Sequence, residues 1–163
     1  MDEVLIYTGE FEGELKMPYI AGGIKAGFPS PAQDYLGESL DFNRDLIKHP
    51  AATFYGKVKG DSMRDAGIEE GDIIVVDKAL VAHDGDIVVA FVDGEFTIKY
   101  LNMAHKEDGY IELVPANDKY APIRINATDN FEIWGVVAWT IKRRAKSFNE
   151  EINVEDEKTN RTI

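Results

Sequence analysis

From Thr53 onward the chain reads as short runs of β-branched and aromatic residues, punctuated by Gly, Asp and Asn. The runs 54–59, 73–77, 87–92, 95–101, 110–114, 123–126 and 131–141 fit the composition of strands. Asp93-Gly94 separates two of them and tolerates the positive φ of a type I′ turn, so 87–101 is expected to be a tight hairpin. Many short strands joined by Gly and Asp turns predict a compact, mostly antiparallel β fold. Helical signals are few. Asp41 can cap a helix over 41–49, with Leu46 and Ile47 inward, Lys48 and His49 suited to the C-terminal dipole, and Pro50 as the stop. Residues 62–66 fit a single turn closed by Gly67.

The two ends differ from this middle. Residues 1–27 mix acids with Gly9, Gly13, Gly22, Gly23 and Gly27 and show no sustained helical period, which predicts a flexible N-terminal arm. Phe28-Pro29-Ser30-Pro31 is a stiff, extended break after it. Residues 146–163 are polar and predict a disordered tail. The expected organisation is an arm over 1–27, one folded domain over 28–145, and a tail. No internal repeat is visible.

Composition narrows the function. A chain of 163 residues, 44% hydrophobic, has room for one ordinary core. The absence of cysteine excludes a disulfide framework, thiolate zinc and a cysteine nucleophile. The three histidines are scattered, and Asp65, Glu69, Glu70 and Asp72 lack the spacing of a calcium loop. No metal or cofactor is expected. A net charge of -12, with no basic stretch of domain size, argues against direct sequence-specific DNA binding. Lys142, Arg143, Arg144 and Lys146 read as a charged strand end. No apolar run approaches the ~20 residues that span a bilayer. The acidic N-terminus does not fit a secretory signal, so the cytoplasm is expected. Phe131, Trp134 and Trp139 share one strand and suit either the core or a dimer interface; an exposed edge there would favour a homodimer.

The run with chemical content is Lys59-Gly60-Asp61-Ser62-Met63. Ser62 follows a strand and opens a turn. It can be an N-cap, or a nucleophile lying beside free backbone N–H groups. A serine needs a base to become nucleophilic. His49, His83 and His105 fall in loops or at helix ends. Lys99 lies mid-strand, among Phe96, Ile98, Tyr100 and Leu101. It is either an outward lysine or a desolvated, neutral amine able to take a proton. Alternation places it on the face of Thr97 and Leu101 without saying which face is buried. Asp61 either tunes that lysine or caps the turn.

Five segments occur in one order: Ala26-Gly27-Phe28-Pro29-Ser30-Pro31-Ala32, Gly60-Asp61-Ser62-Met63, Gly71-Asp72-Ile73-Ile74-Val75-Val76-Asp77, Gly85-Asp86-Ile87-Val88, and Asp93-Gly94-Glu95-Phe96-Thr97-Ile98-Lys99. Together they resemble the LexA/UmuD family of self-cleaving Ser-Lys peptidases, over roughly residues 24–143. The resemblance implies that family's compact β peptidase fold, with Ser62 as nucleophile and Lys99 as general base. It implies an oxyanion hole from the backbone N–H groups of Ser62 and Met63, and a scissile bond at Ala26-Gly27 in the chain's own arm. Family members carry cysteine or alanine before that glycine, and Ala26 fits. The implied partners are a second copy of the chain, a RecA filament on single-stranded DNA as activator, and a UmuC-like translesion polymerase in the SOS response. Residues 1–23 do not obviously match, and the tail is an addition. Only 26 residues precede the bond, too few for a repressor's helix-turn-helix domain, and the membrane anchor of Ser-Lys signal peptidases is not seen. An idle dimeric polymerase adaptor and a LexA-type repressor fragment are the competing expectations.

Overall fold

The computed structural model describes residues 4–8, 13–19, 26–27 and 39–145. The expected tail at 146–163, the break at 28–31 and the remainder of the expected arm lie outside the described residues. Among the described residues ten strands follow in chain order: β1 (Val4–Thr8), β2 (Met17–Pro18), β3 (Ser39–Leu40), β4 (Thr53–Val58), β5 (Ile73–Asp77), β6 (Ile87–Val92), β7 (Glu95–Asn102), β8 (Tyr110–Val114), β9 (Ile123–Asn126) and β10 (Phe131–Ile141). Eight of them form one antiparallel sheet in the order β1-β4-β5-β10-β6-β7-β8-β9, and β2 pairs with β3 apart from it. The fold is mostly antiparallel β, as the residue pattern predicts.

The long strand β10 gives this sheet its curl. Its first half, from Phe131, pairs with β6, and its second half, to Ile141, pairs with β5; only Val136 pairs with both. Register shifts fall at Ile133/Gly135 and Val137/Trp139. Such irregularities bend a strand and raise its twist. At the bend the backbone runs against β5: a Cβ on Gly135 would lie 2.6 Å from Val76 Cγ1. Glycine is the residue that permits this approach.

Two cores result, with β6 and β7 as the partition. Val58, Met63, Ile68, Ile74, Val76, Val89 and Ile98 form one. Val88, Ala90, Val92, Leu101, Leu113, Ile125 and Val136 form the other. Neighbours such as Val88 and Val89, on opposite faces of one strand, therefore both reach zero exposure. The β6–β7 hairpin closes as expected. Val92 pairs with Glu95, and Asp93 and Gly94 take φ of 49° and 89°, the two positive values a type I′ turn requires.

Two local expectations are corrected. The helix foreseen over 41–49 is only α1 (Phe42–Asp45). Asp41 caps it, its Oδ1 accepting from Asn43 N at 3.0 Å, but Asn43 and Asp45 are weak helix formers and the helix ends at Leu46. A 3-10 turn, Pro50–Ala52, follows. Conversely, Val4–Thr8 pairs along β4 from Val4↔Val58 to Thr8↔Phe54, although the sequence did not mark it as a strand. Its β-prone side chains sit among acids and glycines that hide the pattern.

Candidate active site

β4 ends at Val58, and Gly60 at φ 87° turns the chain into Asp61, Ser62 and Met63. A 3-10 turn, Arg64–Ala66, follows and is closed by Gly67 at φ 76°. The cap position of that turn belongs to Met63, with no side-chain cap hydrogen bond. Ser62 is therefore not its N-cap. Its side chain, 1% exposed, points instead to Lys99, whose Nζ lies 2.8 Å from Ser62 Oγ.

Lys99 comes from β7, opposite Val88 of β6, 37 residues along the chain. It is 4% exposed, so the outward reading is wrong for it. Both faces of β7 are covered at this point, because Ile98 is also buried. The amine also donates to Thr97 Oγ1 at 2.8 Å and to Ile98 O at 2.9 Å. A buried ammonium is costly when its surroundings are not charged. A neutral amine has two N–H bonds and one lone pair. In that form, with the two N–H groups donated to Thr97 and Ile98, the lone pair would be left for the Ser62 hydroxyl 2.8 Å away. Such an arrangement can remove a hydroxyl proton.

The backbone N–H of Met63 makes no hydrogen bond among the described residues, and the Met63 side chain, 2% exposed, anchors the turn in the first core. Ala26 and Gly27 are both exposed, and a Cβ on Gly27 would meet nothing within 4 Å. A bond poised for attack would be buried, about 3 Å from the serine oxygen.

The histidines sit elsewhere. His49 Nδ1 is 2.6 Å from Asp77, His83 is 3.8 Å from Asp86, and His105 is 3.2 Å from Asp108. Of the basic strand end, Lys142 is tied to Asp72 and Glu69, and the Asp72 hydrogen bond raises its pKa above the ordinary lysine value. Among the described residues no group of acids and histidines is placed to hold a metal ion. None of their helices is long and apolar enough to cross a membrane. Phe131 and Trp134 pack inward, with Trp134 5.0 Å from Phe54 and 5.5 Å from Phe96, whereas Trp139 is 46% exposed.

Sequence reasoning gave no role to three residues near the pair. Thr97 shares the face of Lys99 two positions earlier, and that spacing was its signal. Asn117 and Tyr120 reach Asp61 from a distant loop, which no local pattern announces. Asp61 is thereby placed: it serves the turn, since its carbonyl accepts from Arg64 N at 3.2 Å and its carboxylate from the Tyr120 hydroxyl at 2.5 Å.

A family model for Peptidase S24-like proteins matches residues 18–138. The chain belongs to this family. Protein SamA of Salmonella typhimurium is 46% identical over 112 residues, 69% of this chain and 75% of SamA. Protein ImpA of Escherichia coli is 43% identical over 126 residues, 77% of this chain and 83% of ImpA. The LexA repressor of Carboxydothermus hydrogenoformans is 41% identical over 112 residues, which are 69% of this chain but 53% of the repressor. The resemblance drawn from the five ordered segments is borne out, and the matched S24 region contains both Ser62 and Lys99.

Proposed function

We propose that the chain is a self-cleaving serine peptidase that cuts its own Ala26-Gly27 bond. In shortened form it serves in the SOS response as the accessory subunit of an error-prone translesion polymerase. The observation that carries the reading is the buried 2.8 Å contact between Lys99 Nζ and Ser62 Oγ. Membership in the peptidase family supports it, as does the Ala26-Gly27 bond upstream.

The chemistry follows from the pair. Neutral Lys99 takes the Ser62 hydroxyl proton as Oγ attacks the Ala26 carbonyl carbon. The negative charge that develops on the carbonyl oxygen is met by the backbone N–H groups of Ser62 and Met63. The intermediate collapses, the C–N bond breaks, and the Lys99 ammonium returns the proton to the departing Gly27 nitrogen. Water then attacks the Ala26–Ser62 ester, again giving its proton to Lys99, and Ser62 is released together with a fragment ending at Ala26. Thr97 and Ile98 hold the amine in line throughout.

Tethering supplies the substrate at high effective concentration, so the reaction must be held in check. The exposed position of Ala26 and Gly27 fits a resting state in which the bond has yet to dock. A RecA filament on single-stranded DNA raises the docked population. The protein acts in the cytoplasm as a homodimer. Beyond Val136, β10 pairs only with β5 among the described residues, and Trp139 and Ile141 stand 46% and 38% exposed there, a surface suited to a second copy.

The test is incubation with RecA, ATP and single-stranded DNA. At neutral pH, where unaided self-cleavage is slow because the lysine is charged, a product starting at Gly27 is expected to form fast only when all three are present. A neutral-pH rate that the filament does not raise overturns the activator, and an uncut wild-type chain in the complete mixture overturns the peptidase.

A further inference from the structure

We propose that Asn117 is a positioning residue that aims the oxyanion-binding N–H groups of the Ser62 turn, with Tyr120 as its second anchor; this rests on the self-cleavage reading above. Both residues lie in the loop between β8 and β9. The Asn117 side chain is 4% exposed and its Nδ2 donates to Asp61 O at 2.9 Å, across 56 residues of sequence. Its Oδ1 accepts from Lys119 N at 3.1 Å, and its carbonyl accepts from Tyr120 N at 3.1 Å. Held at both ends of its amide, Asn117 presents a fixed donor. One residue earlier, Ala116 N donates to Ser62 O at 2.8 Å, and Ala116 O accepts from Asp65 N at 2.8 Å.

The consequence follows from the planarity of the peptide bond. The Asp61 carbonyl and the Ser62 N–H belong to one rigid plane and point in opposite directions; the Ser62 carbonyl and the Met63 N–H form the next. Asn117 pins the first carbonyl and Ala116 the second. The loop therefore sets the direction of both N–H groups that receive the oxyanion. Tyr120 adds to this from outside, its hydroxyl donating to Asp61 Oδ1 at 2.5 Å. These contacts all fall on the turn that carries Ser62, so the loop acts on the oxyanion side.

The test uses the full chain and its self-cleavage rate against pH, for wild type, Ser62→Ala, Asn117→Ala, Asn117→Asp and Tyr120→Phe. Melting curves fix an assay temperature at which each variant is folded. Asn117→Asp keeps the size and the Oδ1 acceptor but loses the donor and gains a negative charge. Misaiming of this kind lowers the high-pH plateau by about 10- to 100-fold. The pH midpoint, which reports the lysine, stays at the wild-type value in the uncharged variants Asn117→Ala and Tyr120→Phe, whereas the added carboxylate of Asn117→Asp moves it upward. Tyr120→Phe gives a smaller loss, about 2- to 5-fold. A residue with a merely structural role would lower the melting temperature and leave the plateau of folded protein unchanged.

Plateaus within two-fold of wild type in folded Asn117→Ala and Asn117→Asp overturn the proposal, as does a shifted midpoint in Asn117→Ala or Tyr120→Phe. If Asn117→Ala does not fold, Asn117→Asp and Tyr120→Phe decide. Cleavage by Ser62→Ala, or none by wild type, overturns the self-cleavage reading itself and this inference with it, an outcome distinct from a normal wild type beside an unaffected Asn117 variant.

Discussion

Lys99→Met is expected to lose self-cleavage by about 10²- to 10⁴-fold while the chain stays folded, the range that a positioned general base contributes. Methionine is close to lysine in length and carries no proton acceptor for Ser62. The substitution removes an amine that is 4% exposed, and with it the cost of burying that group. Against this, Thr97 Oγ1 and Ile98 O each lose a donor. An unmatched buried polar group costs about 1–3 kcal/mol, so the two effects oppose each other and the melting temperature should move little. The readout is the first-order appearance of the fragment beginning at Gly27, followed by intact mass. A folded Lys99→Met that cleaves within ten-fold of wild type would remove the lysine from the mechanism.

Gly135→Val is the second large effect, and it falls on stability. The added Cβ would sit 2.6 Å from Val76 Cγ1, 3.4 Å from Asp77 O and 3.4 Å from Lys78 Cγ. Val76 is fully buried and β-branched, so it has no free rotamer into which to retreat. Overpacking of a filled core costs about 1–3 kcal/mol. For a chain of this size each kcal/mol lowers the melting temperature by about 2–4 °C. Thermal unfolding followed by circular dichroism gives the answer. An unchanged melting temperature would mean that β10 crosses β5 with room to spare, contrary to the geometry at the bend. Gly135→Ala, with the same Cβ and no more, should show the smaller part of the same loss.

The middle of the chain was legible because its strands are short, β-branched and bounded by turn residues. Ile73–Asp77, Ile87–Val92, Tyr110–Val114, Ile123–Asn126 and Phe131–Ile141 match their expected bounds, and Asp93-Gly94 marks its hairpin. What sequence periodicity could not supply was the burial of Lys99. Alternation presumes one wet face, and β7 has none, since the two cores cover both sides. The curl of β10 was hidden for a related reason: a lone glycine in a strand pattern does not say which neighbour it approaches. Ser62 carried two meanings that local spacing does not separate; the structure gives the cap position of the turn to Met63 and sets Ser62 Oγ 2.8 Å from Lys99 Nζ. Asn117 and Tyr120 act through contacts 56 and 59 residues away, beyond the reach of local spacing.

The most direct test of self-cleavage by Ser62 and Lys99 is intact mass after incubation of wild type and Ser62→Ala from pH 7 to pH 10, with no other protein present. The account predicts that wild type loses its first 26 residues, yielding a product that starts at Gly27. The rate should rise with pH as the lysine becomes neutral, and Ser62→Ala should keep its full mass throughout. The same product from Ser62→Ala, or a wild-type cut at another bond, would contradict it.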